Sequence, residues 1–170
     1  MRLPYPMGMP QVVIRPGEIF ATNRPHVIST LLGSCVAVCM FEPDAHIVGM
    51  NHIMLPVRPA RSPQKNNDPG GKYACAAMDK LIRRIEKMGG DKKNLKAKVF
   101  GGAKVLPTPL KTPGFDISGN ILRYVLEYLD REKIPILAKD FGGNRGRIIH
   151  FVSDDYSVYL KRINNPRSVI

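Results

Sequence analysis

The chain is 170 residues long and carries 26 lysines and arginines against 14 acidic residues, a formal charge of +12, with 44% hydrophobic and 24% charged residues. That length suits one domain with a continuous core, and the composition excludes a disordered polymer or a fibrous repeat. No apolar stretch reaches the roughly 18 residues of a membrane span.

The opening "MRLPYPMGMPQVVIRPGE" is broken by prolines where a signal peptide needs an unbroken apolar run. Three cysteines, an odd number without framework spacing, fit a reducing compartment. The expectation is a cytoplasmic protein with no membrane insertion.

In chain order, "QVVIRPGEIFAT" reads as a strand, a Pro-Gly turn and a second short extended piece. "HVISTLLGSC" is a strand running into a Gly-Ser bend. "CVAVCMF" alternates, with Cys35, Ala37, Cys39 and Phe41 on one side and Val36, Val38 and Met40 on the other. A short helix from Cys35 has compatible spacing, but the valines and the breaker "EPDA" favour a hairpin into "HIVGMNHIMLP". From Val57 to Lys72 the chain turns polar and reads as a long loop.

Beyond it, Ala74, Ala77, Met78, Leu81, Ile82, Ile85 and Met88 keep the spacing of an amphipathic helix ended by Gly89-Gly90. "LKAKVFGGA" gives a strand stopping at Gly101-Gly102. A second helix carries Ile121, Tyr124, Val125, Tyr128 and Leu129 as its buried stripe, with Asp116 or Ser118 as cap. "IPILAKDFGGNRGRIIHFVSDDYSVYLKRI" reads as three strands separated by Gly-Gly and Asp-Asp turns. This order predicts a single α+β domain over residues 1–170, two helices flanking mixed or antiparallel sheet.

Charge is concentrated. Between Arg58 and Lys111 fourteen basic residues face four acidic ones, leaving +10 of the total there. Such a segment either attracts an acidic partner or is a solvated face, and charge alone names no partner. A nucleic-acid module is disfavoured by the lack of tryptophan, of zinc-finger spacing and of a basic strand interleaved with aromatics.

Among the reactive side chains, Cys39 and Cys75 read as packing, one inside an apolar run and one in the Ala-rich helix. Cys35 differs because Gly33 and Ser34 make a small, flexible approach where backbone N–H groups can converge on a developing oxyanion. Of the four histidines, His52 lies on the strand paired with the one Cys35 begins. A hairpin turning at Glu42 to Ala45 sets the two opposite each other. His46 sits at the turn, His26 beside a proline, and His150 on a distant strand that spacing does not exclude. Cys35, Cys39 and His52 form no metal spacing, and no phosphate or dinucleotide fingerprint is present, so no metal or cofactor is expected.

"STLLGSCVAVCMFEPDAHIVGMNHIMLP" closely resembles the signature of the CheD family, the bacterial chemoreceptor glutamine deamidases. "KVFGGA", "FDISGN" and "IPILAKDFGGNRGRIIHF" continue the match in order from about Glu18 to Arg162. The resemblance implies hydrolysis of particular glutamine side-chain amides on the cytoplasmic helical region of methyl-accepting chemoreceptors, and a fold similar to cysteine-dependent toxin deamidases. It implies Cys35 as nucleophile, His52 as base and Thr30 as third member. Because the stretch between Thr30 and Cys35 is one residue shorter than in some relatives, Ser29 stands as an alternative to Thr30. "FDISGN" is a compressed form of the family's Ile-Gly-x-Arg-Asn pattern and lacks its Arg. Some relatives also cleave receptor methyl esters or bind a CheC-type phosphatase, so the rival reading is a non-catalytic adaptor of such a phosphatase.

Overall fold

The computed structural model describes Tyr5 and residues 7–57, 70–105 and 116–164. Most of the polar stretch from Val57 to Lys72, part of the basic segment and Phe115 of "FDISGN" lie outside the described residues. The elements are β1 (Gln11–Val13), β2 (Ile19–Thr22), β3 (Val27–Leu32), β4 (Val36–Glu42), β5 (Ile47–Ile53), α1 (Ala74–Lys87), β6 (Lys96–Gly101), α2 (Ile117–Arg131), β7 (Ile136–Phe141), β8 (Arg147–Val152) and β9 (Val158–Arg162).

The strands form two sheets. A five-stranded sheet runs β2-β5-β4-β6-β7 and a four-stranded sheet runs β1-β3-β8-β9, each with one parallel pair, β6 with β7 and β1 with β3. The alternation read in β4 explains the layering. Val36, Val38 and Met40 face α1 and α2, while Ala37, Cys39 and Phe41 face the four-stranded sheet and meet Ile28, Leu32, Ile149 and Phe151. A central strand covered on both faces must be apolar on both, and all seven residues of β4 are buried. The result is the expected α+β class, with helices, mixed sheet and a second sheet stacked as three layers.

Both helices follow their apolar periodicity. α1 buries Ala74, Ala77, Met78, Leu81, Ile82 and Ile85, while Met88 lies past its last residue and is largely exposed. α2 is capped by Asp116, whose carboxylate accepts from the Gly119 N–H. Ser118 donates to that same carboxylate and is not itself the cap. Among the described residues, no helix is long and apolar enough to cross a membrane.

The β4–β5 hairpin differs from expectation in register. The last pair is Glu42 with Ile47, so the loop is Pro43 to His46, with His46 in the left-handed region at φ 52° and the Glu42 carboxylate accepting the Ala45 N–H. His52 therefore pairs with Ala37, and Cys35 does not stand directly opposite it. Cys35 is instead one diagonal step away on the same face, a separation of about 7–8 Å between backbone positions.

The chain passes between the sheets four times, at β1–β2, β2–β3, β3–β4 and β7–β8. Pro16-Gly17 leads from β1 in one sheet to β2 in the other, and Gly142-Gly143 leads from β7 to β8. Another crossing is Gly33-Ser34-Cys35 itself, between β3 and β4. The Pro16-Gly17, Gly33–Cys35 and Gly142-Gly143 crossings border the site described next.

Candidate active site

In β3, Ile28, Thr30 and Leu32 point into the layer between the sheets, and in β5 Val48, Met50 and His52 point into it from the other side. Thr30 and His52 thus meet across the seam, with Thr30 Oγ1 2.8 Å from His52 Nδ1. Both are buried, at 2% and 1% exposure, so water does not compete for the contact between the hydroxyl and Nδ1. The Thr30 hydroxyl has one proton, and it donates to the Ile14 carbonyl at 2.8 Å. It must then accept from Nδ1–H, which leaves Nε2 as the bare nitrogen. The backbone of His52 is held at both ends, its N–H donating to Glu18 O and its carbonyl accepting from Gly17 N–H of the Pro-Gly turn.

Cys35 sits half-buried at the crossing between sheets, packed against the inter-sheet core. Its carbonyl accepts the Gly102 N–H at 2.8 Å, and the carbonyl of Gly33 accepts the Ala103 N–H at 2.9 Å. Gly101 makes this approach possible. Its φ is +106°, and a Cβ there would lie 2.3 Å from the Cys35 carbonyl oxygen. The glycine pair read as a strand-end bend is thus the wall against which the Cys35 backbone rests.

Electrostatically the two groups rest neutral. Burial lowers the His52 pKa to about 4, only partly opposed by the Glu18 carboxylate, and burial pushes the Cys35 thiol up. Both shifts disfavour a thiolate–imidazolium pair at rest. The arrangement suits general-base attack and differs from a standing thiolate–imidazolium pair.

The remaining candidates lie elsewhere. Ser29 points to the outer face of β3, where its hydroxyl is 2.7 Å from His150 Nδ1 beneath the Tyr5 ring. It is separated from His52 by the strand itself, and Thr30 is the hydroxyl that reaches that ring. His46 meets the Tyr156 hydroxyl, and His26 lies tilted against the Phe20 ring. Cys39 is buried against Met50 as expected. Cys75 is exposed, contrary to its reading as core packing, because it falls about 100° around α1 from Ala74 and outside the stripe. Among the described residues, no three His, Cys, Asp or Glu side chains converge as metal ligands.

Among the described residues of the basic segment, several cations are already engaged within the fold. Arg84 donates to Ile19 O, Lys92 pairs with Glu132, Lys98 donates to Tyr156 O and Lys104 pairs with Asp116. Arg84 lies on α1, Lys98 on β6, and Lys92 and Lys104 on the stretches flanking β6. Sequence reasoning did not single out the Ile14 carbonyl or Arg147, which is buried at the same seam. The signal for Arg147 was its phase, since it alternates with Ile149 and Phe151 on the inward side of β8.

Residues 54–162 match the family model described as CheD chemotactic sensory transduction. A Shewanella oneidensis protein named probable chemoreceptor glutamine deamidase CheD 2 is 42% identical over 91% of this chain and 77% of its own length. One from Geobacter sulfurreducens, probable chemoreceptor glutamine deamidase CheD 1, is 40% identical over 92% and 79%. A Rhodospirillum rubrum relative of the same description is 36% identical over 95% and 88%. Among solved structures, the hypothetical protein YfiH of Bacillus licheniformis overlaps 75% of this chain and 50% of its own at a TM-score of 0.42 and 16% identity. The family model alone spans well over half of the sequence, and these relatives extend the likeness across Thr30, Cys35 and His52: the chain belongs to the CheD family.

Proposed function

We propose that this protein is a protein-glutamine glutaminase acting on chemoreceptors, and that Cys35, His52 and Thr30 carry the reaction. The names borne by its relatives support the substrate. The observation that carries the chemistry is the buried chain Ile14 O, Thr30 hydroxyl, His52 ring, which leaves a basic nitrogen on the face shared with Cys35.

When a glutamine carboxamide lies beside Cys35, His52 Nε2 takes the thiol proton as sulfur attacks the amide carbon. The carbonyl π-bond opens to an oxyanion, with backbone N–H groups at Ser34 and Cys35 as its donors. The imidazolium returns its proton to the amide nitrogen, the carbon–nitrogen bond breaks, and ammonia leaves a thioester. Water, deprotonated by the same Nε2, adds to the thioester; the carbon–sulfur bond breaks, the thiolate recovers the proton, and glutamate is released. Thr30 accepts from Nδ1–H throughout. It fixes the tautomer and adds no charge that would need solvation in a buried seam.

The reading is tested by incubating a receptor fragment with wild type or Cys35→Ala and following ammonia together with fragment mass. Wild type should convert a defined glutamine to glutamate with a gain of about 1 Da, and Cys35→Ala should not. A Cys35→Ser variant that keeps the full biological effect would favour the adaptor role instead.

A further inference from the structure

Arg147 begins β8, where it pairs with Leu32 at the end of β3. It therefore stands in the four-stranded sheet directly beside the Gly33–Cys35 crossing. The residue is 4% exposed, and its guanidinium reaches over to the five-stranded sheet. There Nε donates to Asp140 Oδ1 at 2.6 Å and Nη2 to Gly142 O at 2.9 Å, while Nη1 is shared between Arg145 O at 3.2 Å and Gly101 O at 3.4 Å. The Gly101 carbonyl also accepts the Gly142 N–H at 2.9 Å, and the next residue, Gly102, donates to Cys35 O. A chain of direct contacts thus runs from Arg147 through Gly101-Gly102 to the Cys35 backbone.

Three physical points give this clamp meaning. A buried guanidinium is costly unless every direction of its fork is matched, and its net contribution to stability against an apolar replacement is commonly small. The planar fork spans several acceptors at fixed geometry, which an ammonium cannot do. The strand end it holds is Gly101, whose φ of +106° is reached without a Cβ and whose closeness to Cys35 O leaves no slack. Displacing Gly101 displaces Gly102 N–H, and with it the peptide groups on either side of the nucleophile.

We infer that Arg147 is a positioning residue for the deamidation, setting through Gly101-Gly102 the placement of the Cys35 backbone on which the thiol and its oxyanion donors depend. The inference rests on Cys35 being the nucleophile. Arg147 touches neither substrate nor His52 in this role, so its loss acts on turnover and leaves binding in place.

The test compares wild type, Arg147→Gln, Arg147→Lys and Asp140→Asn, with Cys35→Ala and the remote Lys92→Gln as controls. Ammonia release from a receptor fragment gives kcat and KM. Each kcat is divided by the fraction of Cys35 that iodoacetamide labels, read by peptide mass because Cys75 is also exposed. Misplacement on the ångström scale predicts a normalised kcat about 10- to 100-fold down in Arg147→Gln, with KM changed by less than about twofold. Arg147→Lys should not rescue, Asp140→Asn should fall in the same direction by less, and Lys92→Gln should match wild type. Should Arg147→Gln fail to fold, the lysine and Asp140 variants decide. Wild-type normalised kcat in those two, or a loss that disappears on normalisation, overturns the inference while Cys35→Ala stays inactive. An active Cys35→Ala instead overturns the assignment of the nucleophile, and this inference with it.

Discussion

Thr30 Oγ1 and His52 Nδ1 are 2.8 Å apart although they belong to different sheets, and the same hydroxyl is committed as a donor to Ile14 O. One contact therefore ties the two layers together and sets which ring nitrogen is basic. Replacing Thr30 by Val keeps the shape but leaves Ile14 O and Nδ1–H buried and unpaired. This should cost about 1–3 kcal/mol of stability. Ammonia release should fall without vanishing, and Thr30→Ser, which keeps the hydroxyl, should restore most of it. Steady-state ammonia release with thermal melts checks this; a fully active, equally stable Thr30→Val would show the hydrogen bond to be idle.

Ser29 provides the complementary variant. Its hydroxyl serves His150 on the outer face of β3, so Ser29→Ala should leave deamidation at the wild-type rate. Loss of ammonia release comparable with that of Thr30→Val would mean that the ring is oriented from the other face.

A third prediction concerns pH. With His52 lowered to about 4 from an ordinary 6.5, its ring stays unprotonated through mildly acidic solution; if it is the base, activity should hold at pH 5.5 to 6 and fall only as pH approaches 4. The raised thiol delays any gain from free thiolate until strongly alkaline pH, so kcat/KM should be nearly flat between about pH 6 and 8. A profile with its acid limb near 6.5 would place His52 in a wetter setting than the seam.

The same shift has a stability consequence. Between pH 6.5 and 4 the unfolded chain protonates this histidine while the folded chain does not, so unfolding takes up a proton and stability declines as pH falls through that window. The contribution is at most about 3 kcal/mol. His52→Gln should show a shallower fall of melting temperature across the window, and an unchanged slope would argue against the buried neutral ring.

Much of this site was legible because strand parity is a strong constraint. Thr30 lies between Ile28 and Leu32, Cys35 keeps phase with Ala37 and Cys39, and apolar neighbours on both sides fix which way each side chain points. The hairpin register was not legible to the same degree. "EPDAH" permits loops differing by one residue at each end, and the choice is made by the left-handed His46 and by the Glu42 carboxylate accepting Ala45 N–H. Pairing across sheets left still less trace. Pro16-Gly17 and Gly142-Gly143 have turn residues, yet each joins strands of different sheets, and no local pattern distinguishes that from a hairpin. The wall beside Cys35 shows the same limit, since Gly101 meets Cys35 from 66 residues away in sequence through a positive φ that only coordinates reveal.

Gly101→Ala follows from that contact. The added methyl would fall 2.3 Å from Cys35 O on a backbone that disfavours any side chain, so β4 and β6 must part beside Cys35. Both melting temperature and ammonia release should drop, the latter even in the molecules that remain folded. Unchanged turnover would show that Cys35 does not depend on this wall.

The most direct measurement of the central claim is rapid acid quench of the protein with a glutamine-bearing receptor peptide, followed by mass analysis of the segment containing Cys35. Covalent catalysis predicts a transient adduct on Cys35 equal to the peptide less ammonia, about 17 Da below the simple sum, absent in Cys35→Ala. Conversion of the glutamine with no adduct on Cys35 at any time, or with full rate in Cys35→Ala, would contradict it.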